Sequence, residues 1–304
     1  YLGLESHPKV KQLAAEYTSD FGTQYSISRA YASAESNERL EELLSKIFLG
    51  SKTLVFSSTT IAHISVLPIA IRPGDAIIMD QQAHVSMQTA AQLVAIKGVP
   101  IEVVRHSNVE MVEHLIKKLK SKHNRIWYII DGVYSMYGDI APLAELNTLA
   151  EKYECLHFYV DDAHAMSCFG DNGQGYVLEN NHLHQRMVVA TSLNKAFASG
   201  GGVLIFPEKD MAQKVRNCGG PLITSGPMQP GALGSAIAAA DIHLSDGITE
   251  LQTGLKENIR YTHLLLEKYN LPNLAEPDSP IFFVAVGLPR VGYNLVDRLV
   301  KEGH

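Results

Sequence analysis

The chain is 304 residues long, 46% apolar and 19% charged, and 26 Lys+Arg against 32 Asp+Glu leave a formal charge of −6. This is the composition of a folded chain with enough residues to bury a full core, and it excludes disorder. The mildly acidic balance, without a long basic run, argues against nucleic acid or an anionic membrane as partner, and the apolar stretches are too short to span a bilayer.

Tyr1 is not an initiator Met, and the chain is expected to be an internal portion of a longer polypeptide. A helix is predicted over 8–20, followed by a Gly/Ser/Tyr loop around 22–36. Strand and helix patterns then alternate. Strands are predicted at 53–56, 76–79, 101–104, 126–130, 157–161, 187–190 and 202–206. Helices are predicted at 60–69, 87–97, 109–120 and 143–154. Val112, Leu115, Ile116 and Leu119 mark one apolar face at helical period. The strands are short and apolar without strict alternation, as expected where helices cover both faces of a mostly parallel sheet. From Pro227 the pattern changes to two long helices, 229–245 and 248–268. A loop over 272–280 leads to a further strand at 281–286 and a helix at 293–302. The expected organisation is an N-terminal segment (1–45), a large α/β domain (46–245), and a connecting helix opening a smaller α/β domain (246–304). Cys155, Cys168 and Cys218 are widely spaced, so neither a disulfide framework nor a metal site is indicated, and a cytoplasmic setting is expected.

Ligands of parallel α/β sheets bind beyond the carboxyl ends of the strands, and four of those loops carry reactive groups. Ser57-Ser58-Thr59-Thr60 stands between a strand and a helix start, where hydroxyls and free amides suit a phosphate; an ordinary N-cap is the alternative. His84 follows the second strand, as a ligand-facing or a structural residue. Asp161-Asp162-Ala163-His164 leaves the buried fifth strand, and two carboxylates there need a cationic partner or a turn to cap. Lys195 follows the sixth strand among small and apolar residues, a setting for a desolvated, reactive amine or for an ordinary surface lysine. Together these residues form the set that pyridoxal 5'-phosphate needs: a lysine for a Schiff base, a carboxylate for the pyridinium nitrogen, and hydroxyls for the phosphate.

The same segments resemble the α-oxoamine synthase family of fold type I (aspartate-aminotransferase-like) pyridoxal phosphate enzymes. Tyr1-Leu-Gly-Leu4 is similar to the end of the family's N-Y-L-G-L. Asp131-Gly-Val-Tyr-Ser135-Met-Tyr-Gly-Asp-Ile-Ala-Pro142-Leu resembles E-G-V-F-S-M-D-G-D-x-A-P-L. Asp161-Asp-Ala-His164 resembles D-[DE]-A-H, and Gly170-Asp-Asn-Gly173-Gln-Gly175 the G-x-x-G-x-G after it. Ser192-Leu-Asn-Lys195-Ala resembles T-x-x-K-A. The resemblance implies a seven-stranded, mostly parallel sheet covered by helices, with a smaller C-terminal α/β domain. It implies an acyltransferase joining a small amino acid to an acyl thioester, with decarboxylation, to give an α-amino ketone. Lys195 would carry the Schiff base and move protons, Asp161 would meet the pyridinium nitrogen, and His164 and Ser135 the ring's phenolic oxygen. His84 would stack on the ring, and Thr59, Thr60 and Ser192 would hold the phosphate. Ser225 and Gly226 would reach the phosphate of a neighbouring subunit, implying a homodimer with shared active sites.

Departures from the family pattern stand beside these matches. Thr59-Thr60 replaces Gly (or Cys) and an aromatic, His63 replaces Asn, and Gly22-Thr-Gln-Tyr-Ser-Ile-Ser-Arg29 replaces the leaner G-x-G-G-S-R. The family's substrate-carboxylate arginine would lie beyond Gly303. An aminotransferase, lyase or aldolase on the same fold, or an inert partner subunit, are the competing readings. The latter subunits tend to lack the Schiff-base lysine, which is present here.

Overall fold

The computed structural model describes residues 1–179 and 183–304. In chain order the elements are α1 (Pro8–Phe21), α2 (Glu35–Ile47), β1 (Lys52–Phe56), α3 (Thr59–Ala70), β2 (Ala76–Asp80), α4 (Val85–Ala95) and β3 (Ile101–Val104). Then follow α5 (Val109–Leu119), β4 (Ile126–Asp131), α6 (Leu143–Lys152), β5 (Leu156–Asp161), β6 (Met187–Ser192) and β7 (Gly202–Phe206). Helices α7 (Lys209–Cys218), α8 (Gly220–Thr224), α9 (Pro230–His243), α10 (Gly247–Lys268) and α11 (Pro289–Lys301) complete it.

The seven strands form one sheet in the order β1-β7-β6-β5-β4-β2-β3, parallel except for β7, which runs antiparallel to both β1 and β6. Alternation along each strand feeds two separate cores. Tyr128, Ile130, Phe158 and Val160 pack with α2, α5, α6 and α9, while Trp127, Ile129, Tyr159 and Leu204 pack with α3 and α4. Both faces are therefore buried, which is why these strands lack a polar side. The antiparallel β7 brings its first residue to the same edge as the ends of β1 and β6. A Cβ on Gly202 would lie 2.5 Å from the Thr59 amide nitrogen, so only glycine lets β7 start against the tip of α3.

Predicted and observed strands coincide within two residues except at 281–286, which is not a strand. There, only a single bridge forms, between Asn273 and Val284. A lone apolar run cannot satisfy its own backbone groups, and among the described residues no strand lies beside it to pair. Three helices, α2, α7 and α8, were not anticipated.

Two buried ionic clusters pin the loops around the strand ends. Arg29, 4% exposed, donates to the Val55 carbonyl at 2.7 Å and faces Glu41 at 2.9 Å; Arg216 meets the other Glu41 oxygen at 2.6 Å. Arg29 thus anchors the 22–29 loop to β1. On the other side, His106 bridges Asp80 (2.9 Å) and Asp139 (2.5 Å), tying the end of β2 to the loops after β3 and β4. Burial works against the imidazolium, but the hydrogen bonds and charges of Asp80 and Asp139 prevail and raise its pKa above the usual histidine value. A raised folded-state pKa gives stability that is full below the unfolded value of about 6.5 and is lost as pH climbs through the folded value. His106→Gln is expected to lower stability by about 3 kcal/mol at mildly acidic pH and to flatten this alkaline decline. Urea midpoints measured across that window would show an unchanged alkaline slope if the cluster were inert.

Candidate active site

The ends of β2, β4, β5 and β6 carry Asp80, Asp131, Asp161 and Ser192, so parallel pairing alone gathers these groups along one edge. Lys195 follows β6 by three residues on a tight loop. Its shape is set by Leu193 N–H to the Gly201 carbonyl (3.0 Å), Ser199 N–H to the Leu193 carbonyl (2.7 Å) and Gly201 N–H to Asn194 Oδ1 (2.7 Å). Ala198 sits at φ 61° within it, a left-handed strain on a non-glycine residue. The loop aims the Lys195 amine at His164 Nε2, 2.7 Å away, and Tyr1 Oη lies 2.8 Å from the other ring nitrogen, Nδ1. Tyr1, Glu5, His164, Asn194 and Lys195 border an open cleft of about 540 Å³.

Burial lowers the Lys195 pKa despite the opposing charges of Asp161 and Asp131, favouring the free amine. Burial and the nearby amine bring His164 down to about 4, so its imidazole is neutral at neutral pH. Burial also holds the Tyr1 hydroxyl protonated, pushing it up to about 12. The Lys195 amine can then donate an N–H to His164 Nε2 while Nδ1–H donates to Tyr1, which leaves a wired amine rather than a loose surface lysine.

Asp161 is 6% exposed. Burial pushes its carboxyl up, but a hydrogen bond from His63 Nε2 (3.1 Å), the Lys195 charge and the Ala163 amide (3.1 Å) bring it below the ordinary value. Asp131, in register with Asp161 across β4 and β5, is pushed well above its ordinary value by burial and by the Asp161 charge. Its Oδ1 accepts the His84 amide at 2.9 Å, which seats His84 at the start of α4, where burial lowers the imidazole pKa.

At the tip of α3, Ser58 caps the Ile61 amide at 3.2 Å and the Thr59 side chain reaches the Thr191 carbonyl at 3.4 Å. The Thr59 and Thr60 amides, first in the helix, have no protein acceptor among the described residues. They face the positive end of the helix dipole, a setting for phosphate. Ser192 Oγ accepts the Asn194 amide at 3.1 Å. This donor set fits pyridoxal phosphate: an amine, an anionic carboxylate, imidazoles and a helix tip with free amides, on one sheet edge. Ser135 makes no side-chain hydrogen bond with any described residue. Ser225 turns its hydroxyl back to the Pro221 carbonyl and lines a different cleft of about 310 Å³, opposite Gln24–Ser28. Within one chain, then, Lys195, His164, Asp161 and His84 come together and Ser225 does not.

Three groups at this edge were not singled out from the sequence as site residues. Tyr1 reaches His164 across 163 residues and His63 reaches Asp161 across 98, separations that no local pattern encodes. Asp131 was accessible: it ends β4 as Asp161 ends β5, and adjacent parallel strands put such residues side by side.

All 304 residues match the family model "aminotransferase class I and II". The chain is 32% identical to the 8-amino-7-oxononanoate synthase of Coprothermobacter proteolyticus, over 92% of its own length and 70% of the relative's. It is 33% identical to the 8-amino-7-oxononanoate synthase of Treponema denticola, over 100% and 75% of the two lengths. The structure superposes on serine palmitoyltransferase from S. paucimobilis with bound PLP and myriocin at a TM-score of 0.88 and 25% identity, covering 95% of this chain and 74% of that one. No helix among the described residues is long and apolar enough to cross a membrane. With motifs, sheet order and donor set in agreement, the chain belongs to the aminotransferase class I and II family, and within it to the α-oxoamine synthases, pyridoxal phosphate-dependent acyltransferases of fold type I.

Proposed function

We propose that the protein condenses a small amino acid with an acyl thioester, releasing carbon dioxide and the free thiol and leaving an α-amino ketone. The observation that carries this reading is the half-buried Lys195 amine, hydrogen-bonded to His164 and near the Asp161 carboxylate, whose charge it feels. Bound pyridoxal phosphate supplies an electrophile for the substrate amine and an electron sink for the substrate α-carbon. Lys195 anchors the cofactor covalently and, once displaced, moves the proton at that carbon. Asp161 would hold the ring nitrogen's proton. With Lys195 taken up by the cofactor, the His164 proton would sit on Nε2, facing the ring's phenolic oxygen, while Tyr1 donates to Nδ1, and Ser135 would donate to the same oxygen. His84 covers one face of the ring and excludes water. The Thr59 and Thr60 amides and hydroxyls, with Ser192, bind the phosphate.

Ser225 and Gly226 line the cleft with Gln24–Ser28 rather than the one bordered by Lys195, which suits a role in the site of a second copy. The functional unit is a homodimer with shared sites. Cys155, Cys168 and Cys218 are free thiols, which suits the reducing cytoplasm.

The test is thiol release from acyl-CoA in the presence of glycine, alanine, serine or 2-aminobutyrate, read beside the visible spectrum of the yellow protein. Stoichiometric thiol and carbon dioxide with one amino acid supports the reading. Amino-group transfer to a keto acid without thiol release replaces it with an aminotransferase.

A further inference from the structure

The carboxylate of Asp161 is the near end of a three-residue chain that has no exposed member. His63 on α3 and Tyr159 on β5 are both 0% exposed. Tyr159 and Asp161 are two positions apart on one strand and so share a face. The His63 ring stands edge-on to Tyr159, ring centres 5.6 Å apart, and reaches both: Nδ1 lies 2.6 Å from Tyr159 Oη and Nε2 3.1 Å from Asp161 Oδ2.

Counting protons leaves one arrangement in which every group is satisfied. Burial, reinforced by the Asp161 charge, keeps the Tyr159 hydroxyl protonated, and its only partner among the described residues is His63 Nδ1. That hydroxyl therefore donates, Nδ1 accepts, and the ring proton sits on Nε2, facing the carboxylate. The opposite tautomer would set a lone pair against Asp161, and both it and the imidazolium would strand the hydroxyl hydrogen without an acceptor among the described residues, a costly state for a buried group. Asp161 Oδ1, which among the described residues accepts only the Ala163 amide, keeps a lone pair for a ligand.

We propose that His63 is a positioning residue, locked by Tyr159 as the neutral Nε2–H tautomer, that orients the Asp161 carboxylate toward the cofactor's ring nitrogen. The role rests on the reading that Asp161 meets that nitrogen. It assigns a purpose to a departure from the family pattern. The asparagine expected there has one amide to offer, whereas the imidazole links Asp161 to a second buried anchor.

The first experiment needs no cofactor. Long-range ¹H–¹⁵N correlation on the protein stripped of pyridoxal phosphate is expected to show His63 as the neutral Nε2–H form, and Tyr159→Phe to convert it to a mixture of tautomers. A cationic or Nδ1–H His63 in the unsubstituted protein overturns the proposal.

The second experiment measures pyridoxal phosphate dissociation and the pH dependence of its visible band. His63→Leu is expected to weaken binding about 10- to 100-fold, the value of a hydrogen bond to a buried charge, and to shift the band's titration. His63→Asn, which keeps a donor for Asp161, should stay within about 3-fold. In an Asp161→Asn background, His63→Leu should add nothing, because its effect passes through that carboxylate. Unchanged binding and titration in His63→Leu overturn the inference while Asp161→Asn still weakens binding. If Asp161→Asn itself binds like the unsubstituted protein, the parent reading fails instead. Should His63→Leu not fold, His63→Asn and the tautomer measurement decide.

Discussion

Lys195→Ala is expected to lower turnover by at least about 10⁴-fold while leaving the fold intact. The amine is partly buried, its pKa is lowered, and it borders the cleft with His164 and Tyr1. Its removal deletes both the covalent anchor and the proton carrier at the substrate carbon. Its hydrogen-bond partner, His164, is neutral and keeps Tyr1, so the main structural loss is the charge that helps support Asp161. The thermal midpoint should therefore move little. Borohydride treatment of the unsubstituted protein should fix the cofactor to the peptide containing Lys195, and mass spectrometry of Lys195→Ala should find none fixed. Lys195→Arg should fail equally, because a guanidinium does not lose its proton and cannot act as a nucleophile. Cofactor still fixed in the alanine variant would move the anchor elsewhere and undo the proposed roles.

What the sequence displayed and what it hid divide along the range of the interactions. The sheet was legible because strands buried on both faces, such as Ile126–Asp131 and Met187–Ser192, are apolar up to their polar last residues and alternate with helices. The apolar run at 281–286 carried the same local signal without a neighbouring strand, which composition cannot reveal. Helix α2 hid behind its charges, although Leu40, Leu44 and Ile47 repeat at helical spacing on its buried side. Helix α7 hid in the same way: Met211, Ala212 and Val215 share one side of a highly charged segment, and only Val215 is fully buried. At the site, residues that end strands were visible because topology alone assembles them. The contacts that tune them come from α3 and from the first residue of the chain, and depend on side-chain reach across the folded molecule.

The two buried carboxylates at the ends of β4 and β5 are expected to respond in opposite ways to the same substitution. Asp131 and Asp161 are register partners, and two such close carboxyl groups cannot both ionise cheaply. Asp161 holds the charge, supported by His63, Lys195 and the Ala163 amide; Asp131, for which burial and the Asp161 charge outweigh the His84 amide and the Lys195 charge, holds the proton. Asparagine is close in shape to a protonated aspartate, and its Oδ1 can accept the same His84 amide. Asp131→Asn should therefore keep turnover within about 5-fold, whereas Asp161→Asn should lose about 10³-fold by removing the only anion aimed at the cofactor. Stability separates them by sign. A raised pKa means that the folded state retains a proton the unfolded chain releases, so Asp131 costs stability as pH rises from about 4 to its folded value. Asp131→Asn should then gain on the order of 1 kcal/mol at neutral pH, with the gain vanishing below about pH 4. Asp161 has a lowered pKa and contributes stability above about pH 4 that is lost as pH falls through the folded value, so Asp161→Asn should destabilise at neutral pH and less in acid. Urea midpoints of both variants at neutral and acidic pH, beside their turnover, test the assignment. If Asp131→Asn proved the more damaging at neutral pH, the charge would sit on Asp131, and the cofactor's ring nitrogen would have to be placed against β4 instead of β5.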